Sequence, residues 1–77
     1  MDINSITSAT NSVDKTQDVD CDAGLKAVGG GFLVNNGSVD VLAQSSYPMD
    51  ADTWRVIAVE TRNYNANWSV TAYVICL

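Results

Sequence analysis

The sequence predicts a small all-β fold, either an antiparallel β-sandwich or a flattened barrel of five to six strands. Its β-branched and aromatic residues occur in short runs between turn residues, and no segment places apolar residues at helical spacing. The 77 residues form one domain at most. Because a chain of this length buries only about 60% of its unfolded surface, we expect a covalent staple or a partner to support its core.

The chain divides into a short N-terminal segment and one β-domain. Residues 1–14 hold Ile3 and Ile6 among polar neighbours. We expect this segment to be an edge strand or an arm that pairs along the sheet of another subunit. Residues 15–77 form the β-domain itself.

The first half of the β-domain predicts a short strand and a hairpin. Residues 16–21 are predicted to form a short strand, with Val19 and Cys21 facing inward. Residues 25–34 and 39–45 flank Asn36-Gly37. Asn-Gly between two such segments is a strong hairpin signal because both residues accept a positive φ. We therefore expect these two strands to pair with each other.

The second half predicts another hairpin. Residues 53–61 and 68–76 alternate in the manner of half-buried strands, and the loop between them is rich in asparagine, which tolerates left-handed backbone. Pro48 is the only proline of the chain. It is expected in the connection between the two hairpins, where it disturbs no ladder of hydrogen bonds.

Three consecutive glycines at 29–31 interrupt a predicted strand. A phosphate-binding loop would continue with Lys-Ser/Thr or an acidic residue at the start of a helix, and neither follows. We expect instead a β-bulge, or the ring of Trp54 or Trp68 lying against the glycines. Both tryptophans are expected in the core.

Composition argues against several classes of function. Four basic and nine acidic residues give a net charge of −5, which disfavours nucleic acid and anionic membranes as partners. No apolar run approaches the roughly 20 residues that span a bilayer. The chain has no histidine, and its only glutamate is Glu60. Proton transfer near neutral pH therefore lacks its usual groups, so we expect a non-enzymatic protein without a cofactor.

Three alternating aspartates form a weak candidate metal site. Asp18, Asp20 and Asp22 would line one face of a strand about 6.6 Å apart, where they can hold Ca²⁺ if a loop supplies further oxygen ligands. The spacing does not match an EF-hand loop. The favoured interpretation is that these carboxylates are solvated and protect an edge strand against aggregation.

Aromatic residues beside polar loop residues form the candidate binding site. Tyr64 lies between Asn63 and Asn65, and Tyr47 precedes Pro48 in another connection. A tyrosine ring with neighbouring amide groups can stack on a sugar or contact a protein partner. These four residues, Tyr64, Asn63, Asn65 and Tyr47, are the predicted binding residues.

The two cysteines bracket most of the chain, with 54 residues between Cys21 and Cys76. They form either two buried free thiols or one disulfide, since inward-facing cysteines on adjacent strands can bring their Cα atoms within about 6 Å. We favour the disulfide, because closing a loop of this length stabilises a domain by about 4 kcal/mol in the chain-entropy model. The polar, acidic N-terminus lacks the basic start and the apolar stretch of a signal peptide.

Four motifs in order resemble a small Cys-bracketed β-domain found in exported bacterial proteins and in phage tail or other virion-associated proteins. That family typically reads C-P-A-G-x-x-x-x-G-G-G, then S-Y-P, then W-x-V, then an aromatic residue before a closing cysteine. The matching segments here are C-D-A-G-L-K-A-V-G-G-G at 21–31, S-S-Y-P at 45–48, W-R-V at 54–56 and T-A-Y-V-I-C at 71–76. The resemblance covers residues 15–77 and implies a β-fold stapled by a Cys21–Cys76 disulfide. The chain departs from the pattern at Asp22, where proline is usual, and the family supplies no catalytic residue.

Two classes of function remain. The first is a virion structural protein, such as a capsid decoration or cement protein, a spike or a tail-fibre component, and the second is an extracellular carbohydrate-binding module. We expect self-association, most simply as a homotrimer, because a lone domain of this size is marginally stable. Association would also cover apolar residues on the second face of the predicted strands, such as Ile57, Val59 and Ile75. The expected location is the virion or the extracellular space.

Overall fold

The computed structural model of the protein describes residues 1–36, 41–61 and 66–77. Within these residues the protein is all-β and every strand pairing is antiparallel, which confirms the predicted fold class. The strands are β1 (Asp2–Thr7), β2 (Lys15–Asp20), β3 (Ala27–Asn35), β4 (Val41–Pro48), β5 (Thr53–Glu60) and β6 (Ser69–Cys76).

The strands form two three-stranded sheets that enclose a shared core. Sheet I has the order β1-β6-β3, and sheet II has the order β2-β5-β4. The two central strands, β6 and β5, therefore supply most of the inward side chains. The buried apolar residues are Val19, Cys21, Val41, Val56, Ala58, Trp68, Val70, Ala72, Val74 and Cys76.

Both predicted hairpins are wrong within the described residues. β3 pairs with β6 and not with β4, and β5 and β6 lie in different sheets. Asn36 does adopt the expected positive φ, at 60°, but β3 and β4 lie in different sheets. Separate sheets let β5 and β6 each be flanked by two strands, with their apolar sides facing each other across the core. The burial of these apolar side chains outweighs the preference of Asn36-Gly37 for a hairpin turn.

The hairpin that does form joins β4 to β5 through residues 49–52. Pro48, expected between two hairpins, is instead the last residue of β4. This position is tolerated because β4 is an edge strand of sheet II. Asp50 helps to close the turn, since its Oδ1 accepts a hydrogen bond of 3.1 Å from the backbone N–H of Asp52.

The glycine run combines the two predicted features. The register of β3 against β6 shifts between Ala27 and Gly29, which is a β-bulge. The ring of Trp54 packs directly on Gly30, and a β-carbon there would overlap it. Trp68 is fully buried, whereas Trp54 is partly buried against the core. The expectation that the tryptophans are core residues is confirmed for Trp68, whereas Trp54 packs against the core from its edge.

The segment that holds Ile3 and Ile6 is β1, an edge strand that pairs with β6 of its own chain along its whole length. The two isoleucines stay 60% and 46% exposed. The strand is therefore anchored through its backbone more than through burial of its side chains.

Cys21 and Cys76 form the predicted disulfide, with their Cα atoms 5.8 Å apart. Cys21 follows β2 of sheet II, and Cys76 ends β6 of sheet I. The cysteines were expected on adjacent strands, but the bond joins the two sheets at one end of the sandwich. It therefore fixes the two layers to each other.

Candidate functional site

The structure describes one of the four predicted binding residues. Tyr64, Asn63 and Asn65 lie outside the described residues. Tyr47 lies on β4 and is 37% exposed. It pairs with Arg55 of β5 on the outer side of sheet II.

Tyr47 belongs to a row of polar side chains that crosses sheet II. Arg55 pairs with Tyr47 on one side and with Asp18 of β2 on the other. Its guanidinium binds the Asp18 carboxylate twice, from Nε to Oδ1 at 2.7 Å and from Nη2 to Oδ2 at 2.9 Å. Hydrogen bonding to Arg55 holds the pKa of the Asp18 carboxyl below its usual value. An aromatic ring beside a fixed ion pair can contact either a sugar or a polar protein surface.

The three candidate calcium ligands each have a separate partner. Asp18 binds Arg55, as described above. Asp20 Oδ1 accepts a hydrogen bond of 2.6 Å from Thr53 Oγ1, and Asp22 Oδ1 accepts one of 3.2 Å from Asn4 Nδ2. Among the described residues no group of three acidic, cysteine or histidine side chains is placed to hold a metal ion. The strand that carries Asp18 and Asp20 is an edge strand of sheet II, as the favoured interpretation expects.

The outer side of sheet I forms a continuous surface without charge, which we call the uncharged face. Its residues alternate with the core residues of β6 and with their partners on β1 and β3. None of them is acidic or basic, although the chain has thirteen charged residues in total, nine acidic and four basic. The uncharged face consists of Ile3, Ser5, Thr7, Gly29, Gly31, Leu33, Asn35, Ser69, Thr71, Tyr73 and Ile75.

Polar side chains on the uncharged face hydrogen-bond to one another. The hydroxyls of Thr7 and Thr71 lie 2.8 Å apart. Asn35 Nδ2 donates to Ser69 Oγ at 3.2 Å and to Thr71 Oγ1 at 3.0 Å. Ser69 and Thr71 are consequently buried although they point away from the core. These four side chains do not depend on water for hydrogen-bond partners. Covering them with another protein surface therefore costs little desolvation free energy.

Sequence reasoning placed Ile57, Val59 and Ile75 on one association surface, but the structure separates them. Ile75 belongs to the uncharged face of sheet I, whereas Ile57 and Val59 lie on the outer side of sheet II. The remainder of the uncharged face was missed because it depends on β1 and β3 flanking β6. The alternation of serine, threonine and tyrosine with core residues along β6 was the available signal.

A buried lysine at the other end of the sandwich was not predicted. Lys15 Nζ donates to Asn11 O at 3.1 Å, Asn11 Oδ1 at 2.7 Å and Val13 O at 2.7 Å, and it lies 4.0 Å from the centre of the Trp68 ring. Burial lowers the pKa of Lys15, while the charges of Glu60 and Asp14 oppose that shift. All three ammonium protons have acceptors. The lysine therefore fastens the 11–13 segment over Trp68 and is not available for chemistry.

Comparisons with known proteins returned no relative: no protein-family model, no curated protein and no solved structure matches the chain. In the part of the chain that the structure describes, no helix is long and apolar enough to cross a membrane.

Proposed function

We propose that this protein is a non-enzymatic structural protein of a virion, in the role of a capsid decoration or cement protein, a spike or a tail-fibre component. It acts by attachment through its surface, and it associates with copies of itself, expected as a homotrimer, and with other virion proteins. The observation that carries the proposal is the uncharged face of sheet I.

The uncharged face supports assembly for an electrostatic reason. A protein with a net charge of −5 repels other acidic proteins over most of its surface. Contact through the uncharged face leaves no charge unpaired, and four of its polar side chains already have hydrogen-bond partners. Because β1 pairs within its own chain, we propose that association uses sheet faces and not an exchanged N-terminal arm.

The disulfide supports a location outside the reducing cytosol. Bonded cysteines persist in secreted proteins, on cell surfaces and on virions, and they are rare in cytosolic proteins. The Cys21–Cys76 bond fits either an extracellular or a virion location. The virion is the part of the proposal that needs its own experiment.

A carbohydrate-binding module is the second candidate function. The observation that favours it is the row of Tyr47, Arg55 and Asp18 across sheet II. An exposed ring can stack on a sugar, while the ion pair offers hydrogen bonds to its hydroxyl groups. This row lies on the opposite side of the sandwich from the uncharged face.

The first candidate predicts that the purified, oxidised protein co-sediments with virus particles from the same source. Replacing Tyr64 by Ala is expected to weaken that attachment and leave the melting temperature nearly unchanged, because the side chain is expected on the surface. If Tyr64→Ala attaches to particles as the wild type does, Tyr64 is not part of the attachment site. If the wild-type protein does not co-sediment with particles, the proposed virion function is wrong.

A glycan array screened with the same protein tests the second candidate. Glycan binding that is lost in Tyr47→Ala and kept in Tyr47→Phe would identify a stacking platform on sheet II. That result, together with no attachment to particles, would replace the first candidate by the second.

A further inference from the structure

Among the residues that the structure describes, nothing requires a glycine at position 31. A β-carbon built at this position meets nothing within 4 Å, and among the described glycines only Gly24 has a positive φ. At the neighbouring Gly30 a β-carbon would overlap Trp54, so that glycine is required by packing. Glycine weakens the interior of a strand, so an unexplained one often marks the close approach of another surface.

Gly29 and Gly31 give the uncharged face a groove beside a ridge. On β3 the outward positions 29 and 31 carry no side chain, and they pair with Ile75 and Tyr73 of β6. A β-carbon at Gly29 would lie 3.6 Å from Ile75 Cδ1, which is ordinary contact and no clash. The outward side chains of β6 therefore form the ridge, and the glycines of β3 form the groove.

We propose that the uncharged face is covered by a second copy of this chain, with the Tyr73–Ile75 ridge of one copy lying in the Gly29–Gly31 groove of the other. The inference rests on the proposed function, because it names the partner of the same face. A surface that carries both the ridge and the matching groove can be complementary to itself, which is what a two-fold contact between identical subunits requires. Such a contact pairs two subunits, so this inference gives a dimer at this face in place of the expected homotrimer.

Charge and area both favour a copy as the occupant. Two chains of net charge −5 repel each other least where neither presents a charge, and the uncharged face meets that condition on both sides. The molecule measures 41 × 17 × 14 Å. One broad side therefore offers roughly 600–700 Å², close to the about 800 Å² per partner of a standard interface.

Filling the groove is the first test. Gly31→Val is expected to fold normally, because the added side chain finds open space and valine favours strands. The same side chain would occupy the groove, so we expect self-association to weaken by about tenfold or more. Ser45→Val is the matched control, since it enlarges a small outward residue on the edge strand of sheet II. Analytical ultracentrifugation over a range of concentrations measures both, with melting curves confirming the fold.

Placing a charge on the face is the second test. Leu33→Asp and Leu42→Asp change leucines of similar exposure, 52% and 42%, on edge strands of sheets I and II. Leu33→Asp is expected to dissociate the oligomer at neutral pH and to restore association below about pH 4, where the new carboxyl is protonated. Leu42→Asp should associate like the wild type.

The outcomes separate this inference from the proposed function. Wild-type protein that stays monomeric up to millimolar concentration overturns the inference, as does an oligomer that Gly31→Val and Leu33→Asp leave intact. Monomeric protein that still co-sediments with particles would reject the self-contact and keep the proposed role in the virion. An oligomer that Gly31→Val disrupts but that attaches to no particle would keep the self-contact and reject the proposed role in the virion.

Discussion

The ion pair between Arg55 and Asp18 shows what a partly exposed charge pair contributes to this protein. The two side chains are 31% and 36% exposed, and pairs of this kind usually add little stability because water screens them. The double hydrogen bond between them is the favourable feature. Its effect should be visible in the dependence of stability on pH.

Asp18→Asn is expected to reduce the loss of stability in acid. The pKa of Asp18 is lowered from its ordinary value of 3.8 in the folded protein, chiefly by hydrogen bonding to Arg55. Its contribution is therefore fully present above pH 3.8 and is lost as the pH falls through the lower, folded pKa. Urea denaturation at a series of pH values should show that the wild type exceeds Asp18→Asn at pH 7 and that the gap narrows in acid.

Arg55→Gln is the matching control, because it removes the cause of the pKa shift and keeps the carboxyl group. Arg55→Gln should reduce the loss of stability in acid as Asp18→Asn does. Combining the two substitutions should change the free energy of unfolding no further. A gap between wild type and Asp18→Asn that is constant from pH 7 to pH 2 would show that the pair has no such role.

Lys15 shows why single residues can escape sequence reasoning. It is the first residue of an edge strand, where a lysine is ordinarily exposed. The structure buries it to 7% exposure because Asn11 and Val13 supply its acceptors and Trp68 lies beneath it. Each of these contacts depends on how the 8–14 connection folds, and no spacing in the sequence encodes that path.

At the scale of the strands, the alternation of polar and apolar residues predicted where the strands lie better than which strands pair. The predicted strands over 53–61 and 68–76 correspond closely to β5 and β6, and Val19 is buried as expected. Their pairing was wrong because alternation tells which side of a strand is buried and not which sheet contains the strand. The choice of sheet depends on long-range burial that a turn motif such as Asn36-Gly37 does not report.

Gly30→Ala is expected to destabilise the contact between the two sheets. The new methyl group would overlap the Trp54 ring, which is held by a hydrogen bond of 2.8 Å from its Nε1 to Ser46 Oγ. Overpacking of this kind costs about 1–3 kcal/mol, and the ring cannot move without losing that bond. The urea midpoint and the fluorescence of Trp54 should both shift.

Gly31→Ala is the control for this substitution, because its methyl group meets nothing within 4 Å. At low protein concentration, where self-association does not contribute, it should be as stable as the wild type or more so. Equal stability of the two alanine variants would mean that Trp54 does not pack on Gly30 as described.

At the scale of the whole molecule, the candidate sites could be predicted only in part. Tyr47 is exposed as expected, but its neighbours Arg55 and Asp18 come from other strands, so the row across sheet II required the correct pairing. The uncharged face is likewise a property of three strands that are distant in sequence. A surface assembled from distant strands is recognisable only once their register is known.

The disulfide was predictable because it depends on two residues and not on the order of the strands. Cys21 and Cys76 are separated by 55 positions, and their bond closes a loop that contains the four strands β3, β4, β5 and β6. Since the bond also joins sheet I to sheet II, it restricts both the unfolded chain and the separation of the layers in the folded one. Its loss should therefore affect the whole molecule at once.

The final prediction is that reduction, or Cys21→Ala combined with Cys76→Ala, lowers the free energy of unfolding by about 4 kcal/mol, the value that the chain-entropy model gives for a loop of this length. A domain of this size has a total free energy of unfolding of about 4–12 kcal/mol. Without the bond, most of the cooperative structure should therefore be lost at moderate temperature. Urea denaturation of the oxidised protein and of the double variant measures the difference, with the unreduced mass confirming the bond. Leu25→Ala is a control for packing alone, since Leu25 lies against the same core without closing a loop. A double variant as stable as the oxidised protein would show that the two sheets hold together without the bond.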